Sequence, residues 1–379
     1  MDAEQRKRLA IICFMWDTQH ATLFSQSLCM SAFEIRSSLP CDQATWESTT
    51  AEEWKCNSQY ENGAHSNPES ESGPGPDSSQ SQPQSHHLLF LNVLKAYITP
   101  NAIQRPRQLN ALSRVLVLHG LMSITSDLKR RDQTTLRIES PDLVGAWKTR
   151  MARSFDLWKV DFDADCMSMK LNQTSELRAF TGHKTAADAL YHAAHITLNI
   201  EVLDLQIFAG ATHVLGRAVT ESDVQRSRRV VARWENEDPR SAAKVARHAS
   251  LILRDAVMNL NDWDNNDAFH YPWCLYLATL GCWAFHLPAD GASSSRRVAG
   301  KPVSSTDTQN SSRRVLTDVE AKSQMTALLV GMTTCNSLEE LSSVAGKFAT
   351  HGLTAIMAKQ LATVRWGIVH DAMKVLVNL

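Results

Sequence analysis

Apolar residues recur at intervals of three and four along most of this chain, the spacing of helices that bury one face. Leu109, Leu112, Val115, Leu116, His119 and Met122 predict one amphipathic helix. Ala187, Leu190, Tyr191, Ala194, Leu198 and Val202 predict another. A third carries Ala243, Ala246, Leu251, Leu253 and Val257, and Ile356, Leu361, Val364, Ile368 and Val369 follow a helical period near the C-terminus. Helix ends are marked as well. Thr49 with Glu52, or Thr50 with Glu53, fits a capping box leading to Trp54. Ser140-Pro141-Asp142 reads as an N-cap, a first-turn proline and an early acid, opening a helix towards Trp158. Asp238-Pro239 closes one helix and opens the next, and Pro40 ends an extended turn after Phe33–Leu39.

The pattern fails twice. Residues 57–85 and 288–317 are rich in Ser, Gln, Pro and Gly and nearly empty of large apolar side chains. Such stretches bury too little surface to offset chain entropy and are expected to be disordered. The expected organisation follows. Residues 1–56 form an N-terminal helical part, 57–85 a linker, 86–287 the main helical body, 288–317 a second linker, and 318–379 C-terminal helices packed on the same body. The fold class is all-α, an irregular multi-helix bundle with two insertions.

Composition narrows the function. The 379 residues hold 39 Lys and Arg against 40 Asp and Glu, a net charge of −1, so no whole-chain polyanion-binding character is expected. With 43% hydrophobic and 21% charged residues, the chain can bury a sizeable core. No apolar run approaches membrane-spanning length, so no membrane partner is expected. The eight cysteines contain no CxxC pair, which argues against zinc-ribbon and thioredoxin chemistry. They read as reduced thiols packed in a core.

Three polar clusters could carry chemistry. Asp188, His192 and His195 would share a helix face, but nothing completes a metal motif, so they read as helix histidines beside a core stripe. Asp161, Asp163 and Asp165 form DxDxD, with Cys166 where a calcium loop needs glycine and Asn172 where it needs glutamate. Asp262, Asp264, Asn266 and Asp267 likewise fail the calcium pattern. They give the main alternative, an all-helical metal-dependent enzyme of secondary metabolism; a helical scaffold is the other. No GxSxG, P-loop or GxGxxG motif occurs. Arg226, Arg228, Arg229 and Arg233 make a basic helix face, largely cancelled by Glu221, Asp223, Glu235, Glu237 and Asp238. Arg296-Arg297 and Arg313-Arg314 lie in the second linker and read as solubilising, with weak nuclear import as the sharper reading. No catalytic, cofactor, metal or DNA-binding residue is expected.

Several segments in order resemble one family. Residues 8–54 carry Asp17, Gln19 and His20, then Glu34-Ile35, Leu39-Pro40-Cys41, Trp46 and Trp54. Leu112–Met122 follows, then Trp147 with Ser154-Phe155-Asp156 and Trp158, then residues 189–217 and the helix ending at Trp234. This order resembles the fungal-specific transcription factor domain, of the type accompanied upstream by C2H2 fingers. The resemblance covers most of residues 8–287 and, more thinly, the C-terminal helices. It implies a non-enzymatic regulatory region controlling RNA polymerase II transcription in a fungal nucleus. Implied partners are proteins of the transcription machinery, a second copy as homodimer, or a small-molecule effector. Zinc is implied only for an upstream module in relatives. Neither a six-cysteine zinc cluster nor a C2H2 finger occurs in these 379 residues. The chain is therefore expected to be the C-terminal part of such a factor, without sequence-specific DNA binding of its own. Trp46, Trp54, Trp147, Phe155 and Trp158 are expected to be packing residues.

Overall fold

In the computed structural model the described residues are 2–64, 88–99, 104–106, 108–134, 146–172, 177–258, 268–287, 316–364 and 367–379. Among them are fifteen helices and one two-stranded ribbon, so the all-α class holds. The chain divides into two compact units, Met1–Ala21 with Ser27–Asn172, and Thr22–Gln26 with Gln173–Leu379. That division falls inside the 86–287 segment that the sequence reading kept together.

The first unit contains α1 (Asp2–Phe24, up to Ala21), α2 (Gln43–Trp46), α3 (Ala51–Ala64), α4 (Phe90–Ile98), α5 (Ala111–Thr134) and α6 (Ala146–Asn172). Its centre is α5, buried without interruption from Ser113 to Thr125. The expected one-sided stripe is therefore an understatement. Val117, Leu118 and Leu121 fill the positions between the stripe residues, and the helix is buried all round, its few polar side chains such as Arg114 and His119 being paired. A side chain at Gly120 would meet Leu94 Cδ2 and Phe90 Cζ at 2.7 Å, so glycine here lets α4 approach α5 closely. Phe14 of α1 meets Phe90 edge to face at 5.9 Å.

Signals at the helix ends sort themselves. Thr50 is the cap of α3: Glu53 N donates to its hydroxyl at 3.2 Å, and Thr50 N donates back to Glu53 Oε2 at 3.4 Å. Helix α3 continues to Ala64, so residues 57–64 are helical, contrary to the expected linker. Asn57 Nδ2 donates to Ala44 O at 3.0 Å and to Ser48 Oγ at 3.1 Å, so the first of these polar residues ties α3 to the segment around α2. Residues 65–87 lie outside the described residues, as do Ser140-Pro141-Asp142 and 288–315 of the second expected linker.

The second unit contains α7 (Leu177–Asn199), α8 (Val202–Phe208), β1 (His213–Val214), β2 (Arg217–Ala218), α9 (Glu221–Glu237), α10 (Pro239–Met258), α11 (Tyr271–Phe285), α12 (Asp318–Thr333), α13 (Leu338–Ser343), α14 (His351–Leu361) and α15 (Gly367–Asn378). Helix α11 is its buried axis, with Trp273 and Phe285 near its ends and Cys274 to Cys282 inside. Helix α10 presents Ala242, Ala243, Ala246, Ala249 and Ala256, and these small side chains let α7 and α11 pack close to it. Helices α12 to α14 then pack on α10 and α11. Asp238 separates α9 from α10, as its sequence predicts, and its Oδ1 accepts from Ser241 N at 3.1 Å. The ribbon turns through Leu215 and Gly216, with φ 49° and 77°, the two left-handed residues that a two-residue hairpin turn requires.

Candidate functional site

The DxDxD segment lies on α6. Helical geometry puts Asp161 and Asp165 one turn apart on the face that meets α4 and α5, and sends Asp163 away to Lys159. Arg114 of α5 and Asp165 are both almost fully buried and pair at 2.5 Å. Arg114 Nη1 donates to the Tyr97 hydroxyl at 2.5 Å. That hydroxyl donates to Asp161 Oδ2 at 2.8 Å, where Arg105 Nε also donates at 2.8 Å. Burial pushes the Asp165 carboxyl up, and the bond from Arg114 pulls it only part of the way back. For Arg114, burial works against the charge, and Tyr97 and Asp165 more than offset it. The guanidinium is thus the secure charge of the pair, and the carboxylate is held beside it at the expense of solvation. This is a structural ion-pair network, not a calcium loop.

Family-like motif residues in the same unit are tethers. Asp17 Oδ2 accepts from Cys29 N at 2.8 Å and Met30 N at 3.0 Å, closing the loop after α1. Gln19 Nε2 donates to His119 Nε2 at 3.0 Å, while His119 Nδ1 donates to Val115 O at 2.9 Å. Full burial lowers the His119 pKa to about 4, so the ring is neutral. Trp158 is buried, stacks on Phe162 at 5.0 Å and donates to Arg114 O at 2.9 Å. Phe155 is buried, and Trp147 is half-buried. Arg8 lies over Trp46 at 4.3 Å. Trp54 is not a packing residue: it is 43% exposed, because α3 meets little but α2.

The histidines of α7 gain a partner that sequence spacing did not reveal. His248, from α10, lies opposite them. His192 Nδ1 and His248 Nδ1 are 2.9 Å apart, and the His195 ring is parallel to His248 at 4.4 Å. Tyr191 meets His195 edge-on at 4.9 Å. Burial first, then His195, His192, Arg247 and Lys244, hold the His248 pKa well below its ordinary value. Asp188 pairs with Lys184 at 2.5 Å on the same helix. A signal existed, since His248 sits on the α10 stripe, but nothing in sequence separation placed it against His192. Among the described residues no group of three or more His, Cys, Asp or Glu side chains is arranged to hold a metal ion.

Basic helix α9 is partly compensated. Arg226 bonds Asp204, which also accepts from Ser227, and Arg217 pairs with Asp223 at 2.9 Å. The Asp262–Asp267 cluster and the two Arg pairs at 296–297 and 313–314 lie outside the described residues. All eight cysteines are free. Four of them, Cys166, Cys274, Cys282 and Cys335, are buried, whereas Cys13, Cys29 and Cys56 are exposed, so the expectation of uniformly packed thiols is corrected. Among the described residues no helix is long and apolar enough to cross a membrane.

Comparison with known families now decides what these packed helices are. Residues 1–160 match the family model described as "Fungal specific transcription factor domain". Over those residues the chain is similar to that domain. It is 52% identical to the "Nicotinate catabolism cluster-specific transcription factor" of Emericella nidulans, over all of this chain and 38% of that protein. It is 24% identical to "Zinc finger protein klf1" of Schizosaccharomyces pombe, over all of this chain and 42% of that protein. With "Zinc finger protein zas1" of the same yeast it shares 22% identity over 76% of this chain and 29% of the relative. The chain thus spans about two fifths of the first of these relatives. No solved structure matches it. The matched family and the Emericella nidulans relative are described as transcription factors, which bears out the regulatory reading over the metal-dependent enzyme.

Proposed function

We propose that this chain is the helical regulatory region of a nuclear transcription factor that controls genes for the breakdown of nicotinate or a closely related pyridine carboxylate. The observation that carries this reading is the identity of 52% over the whole chain with the Emericella nidulans factor. The domain matched over residues 1–160 supports the regulatory class. The region acts through protein contacts or a small effector that biases the packing of its helices, and so changes the surface offered to partners. It does not itself read DNA sequence. Two arginines at the basic helix are engaged by acids, Arg217 with Asp223 and Arg226 with Asp204, which supports that reading. The test is deletion of the coding region in the host, with transcripts measured with and without nicotinate. Loss of induction of pyridine-catabolic genes is expected. Unchanged induction would overturn the assignment.

A further inference from the structure

Helix α1 is apolar on two opposite faces. Ile11, Phe14 and Met15 are buried, and Phe14 reaches Phe90 of α4. With 3.6 residues per turn, Leu9, Ile12, Cys13 and Trp16 fall on the other side of the helix. Leu9 is 63% exposed, Ile12 47% and Trp16 39%, and Cys13 is exposed as well. The outer face of a surface helix is ordinarily polar, and apolar residues all round belong to a helix enclosed by others. The outer stripe is also symmetric. Counted from the midpoint between Ile12 and Cys13 it reads alike in both directions, with Leu9 answering to Trp16 and Gln5 to His20. A surface that packs on a second copy of itself about a two-fold axis must be self-complementary in this way. Charge has the same symmetry. Exposed Arg6 lies on one flank of the stripe, and half-buried Asp17 lies on that same flank about three turns on.

We propose that this face of α1 is an interface with a second copy of the chain, the two helices packing antiparallel about a two-fold axis at Ile12 and Cys13. Leu9 meets the partner's Trp16, and Ile12 meets the partner's Cys13. Gln5 faces the partner's His20 at each end of the stripe. Charge selects the direction. Antiparallel packing sets Arg6 beside the partner's Asp17 on both sides of the axis, whereas parallel packing sets Arg6 against Arg6, a repulsive arrangement. Asp17 is held in place on its flank, since its Oδ2 accepts from Cys29 N and Met30 N. From Gln5 to His20 the stripe runs about 24 Å at 1.5 Å per residue. It offers a few hundred Å² per copy, less than the roughly 800 Å² of a standard interface. The dimer is accordingly weak, with a Kd of about 1–100 μM, and forms where chains are concentrated.

The experiment is sedimentation velocity of the tag-free 379-residue chain, in reductant, across that concentration range. The average mass is expected to rise from one chain towards two. Leu9→Glu and Ile12→Glu change exposed positions and should weaken association at least tenfold with the melting temperature kept. Val160→Glu, at an exposed position of α6, should associate as the parent does. Arg6→Ala should weaken the dimer at least twofold, since each dimer loses two ion pairs. Crosslinking tests the parent chain itself and does not depend on variants folding. Packed helix axes lie about 8–10 Å apart, so a short bismaleimide should join Cys13 to the partner's Cys13 in preference to the exposed Cys29 and Cys56. Mass spectrometry of the linked peptides reads this directly, and Cys13→Ser should abolish it. A chain that stays monomeric at 100 μM would overturn the proposal, and would mean that something other than a second copy covers this face. Association unaffected by both glutamate variants, a tighter dimer in Arg6→Ala, or crosslinks confined to other cysteines would each overturn it too.

Discussion

Removing the Asp165 carboxylate should destabilise the first unit far more than removing the whole ion pair. Arg114 is 1% exposed and Asp165 5%, and the guanidinium keeps its proton. In Asp165→Ala the buried cation retains the Tyr97 hydroxyl, at 2.5 Å, but loses its counter-charge. Orphaning a buried charge in this way costs about 3–5 kcal/mol. For a unit of this size each kcal/mol lowers the melting temperature by about 2–4 °C, so a fall of about 6–20 °C is expected. Arg114→Met with Asp165→Leu removes both charges and fills the space. Tyr97 still donates to Asp161, so no hydroxyl is stranded. Because burial of Asp165 is already opposed by desolvation, this double variant should lie within about 1 kcal/mol of the parent or above it. The assay is thermal melting of parent, both singles and the double variant. Hydrogen exchange of α5 and α6 peptides assigns each loss to this unit rather than the other. A double variant as unstable as Asp165→Ala would refute the reasoning, since the loss would then come from packing and not from an unpaired charge. So would an Asp165→Ala chain within about 1 kcal/mol of the parent.

Three further outcomes follow from the same structure. His119 has a folded pKa of about 4 against an ordinary 6.5, so its contribution is fully present above pH 6.5 and is lost as the pH falls towards 4. Denaturation at pH 7 and pH 4.5 should show stability falling with acidification, and less steeply in His119→Gln; an unchanged pH slope in that variant would exclude His119 as a cause. Gly120→Ala places a methyl 2.7 Å from Leu94 and Phe90, which are fully buried, so overpacking of about 1–3 kcal/mol should outweigh the helix-propensity gain of at most about 1 kcal/mol. A higher melting temperature for that variant would contradict the close approach of α4. Trp54→Ala should change stability by less than about 1 kcal/mol, because the ring is 43% exposed; a loss above about 3 kcal/mol, the range of a buried aromatic, would mean that the ring is covered in solution.

Periodicity, caps and composition were enough to determine the helical class, a capping box at Thr49 or Thr50 ahead of Trp54, the Asp238–Pro239 junction and the packing role of Phe155 and Trp158. All of these are local: a cap closes over three residues, and an apolar stripe repeats every turn. The ordered motifs between Asp17 and Trp234 also pointed to the regulatory family, and the match over residues 1–160 bears that out. What the sequence could not decide depended on which faces meet. It could not tell that α5 is enclosed on every side, because a stripe of apolar residues is visible in sequence while the number of neighbouring helices is not. It could not tell that Trp54 stays exposed, because burial of an aromatic depends on what packs over it. Asp161 and Asp165 looked like a failed calcium loop, and only the approach of Arg105 and Arg114 from other segments made them an ion-pair network. His192 looked like half of a pair with His195. Its partner is His248, fifty-six residues away, brought there by the small alanines that let α10 lie against α7. Helix formation is settled by neighbours in the chain, whereas charge pairing and ring stacking are settled by neighbours in space, and those exist only once the helices have packed.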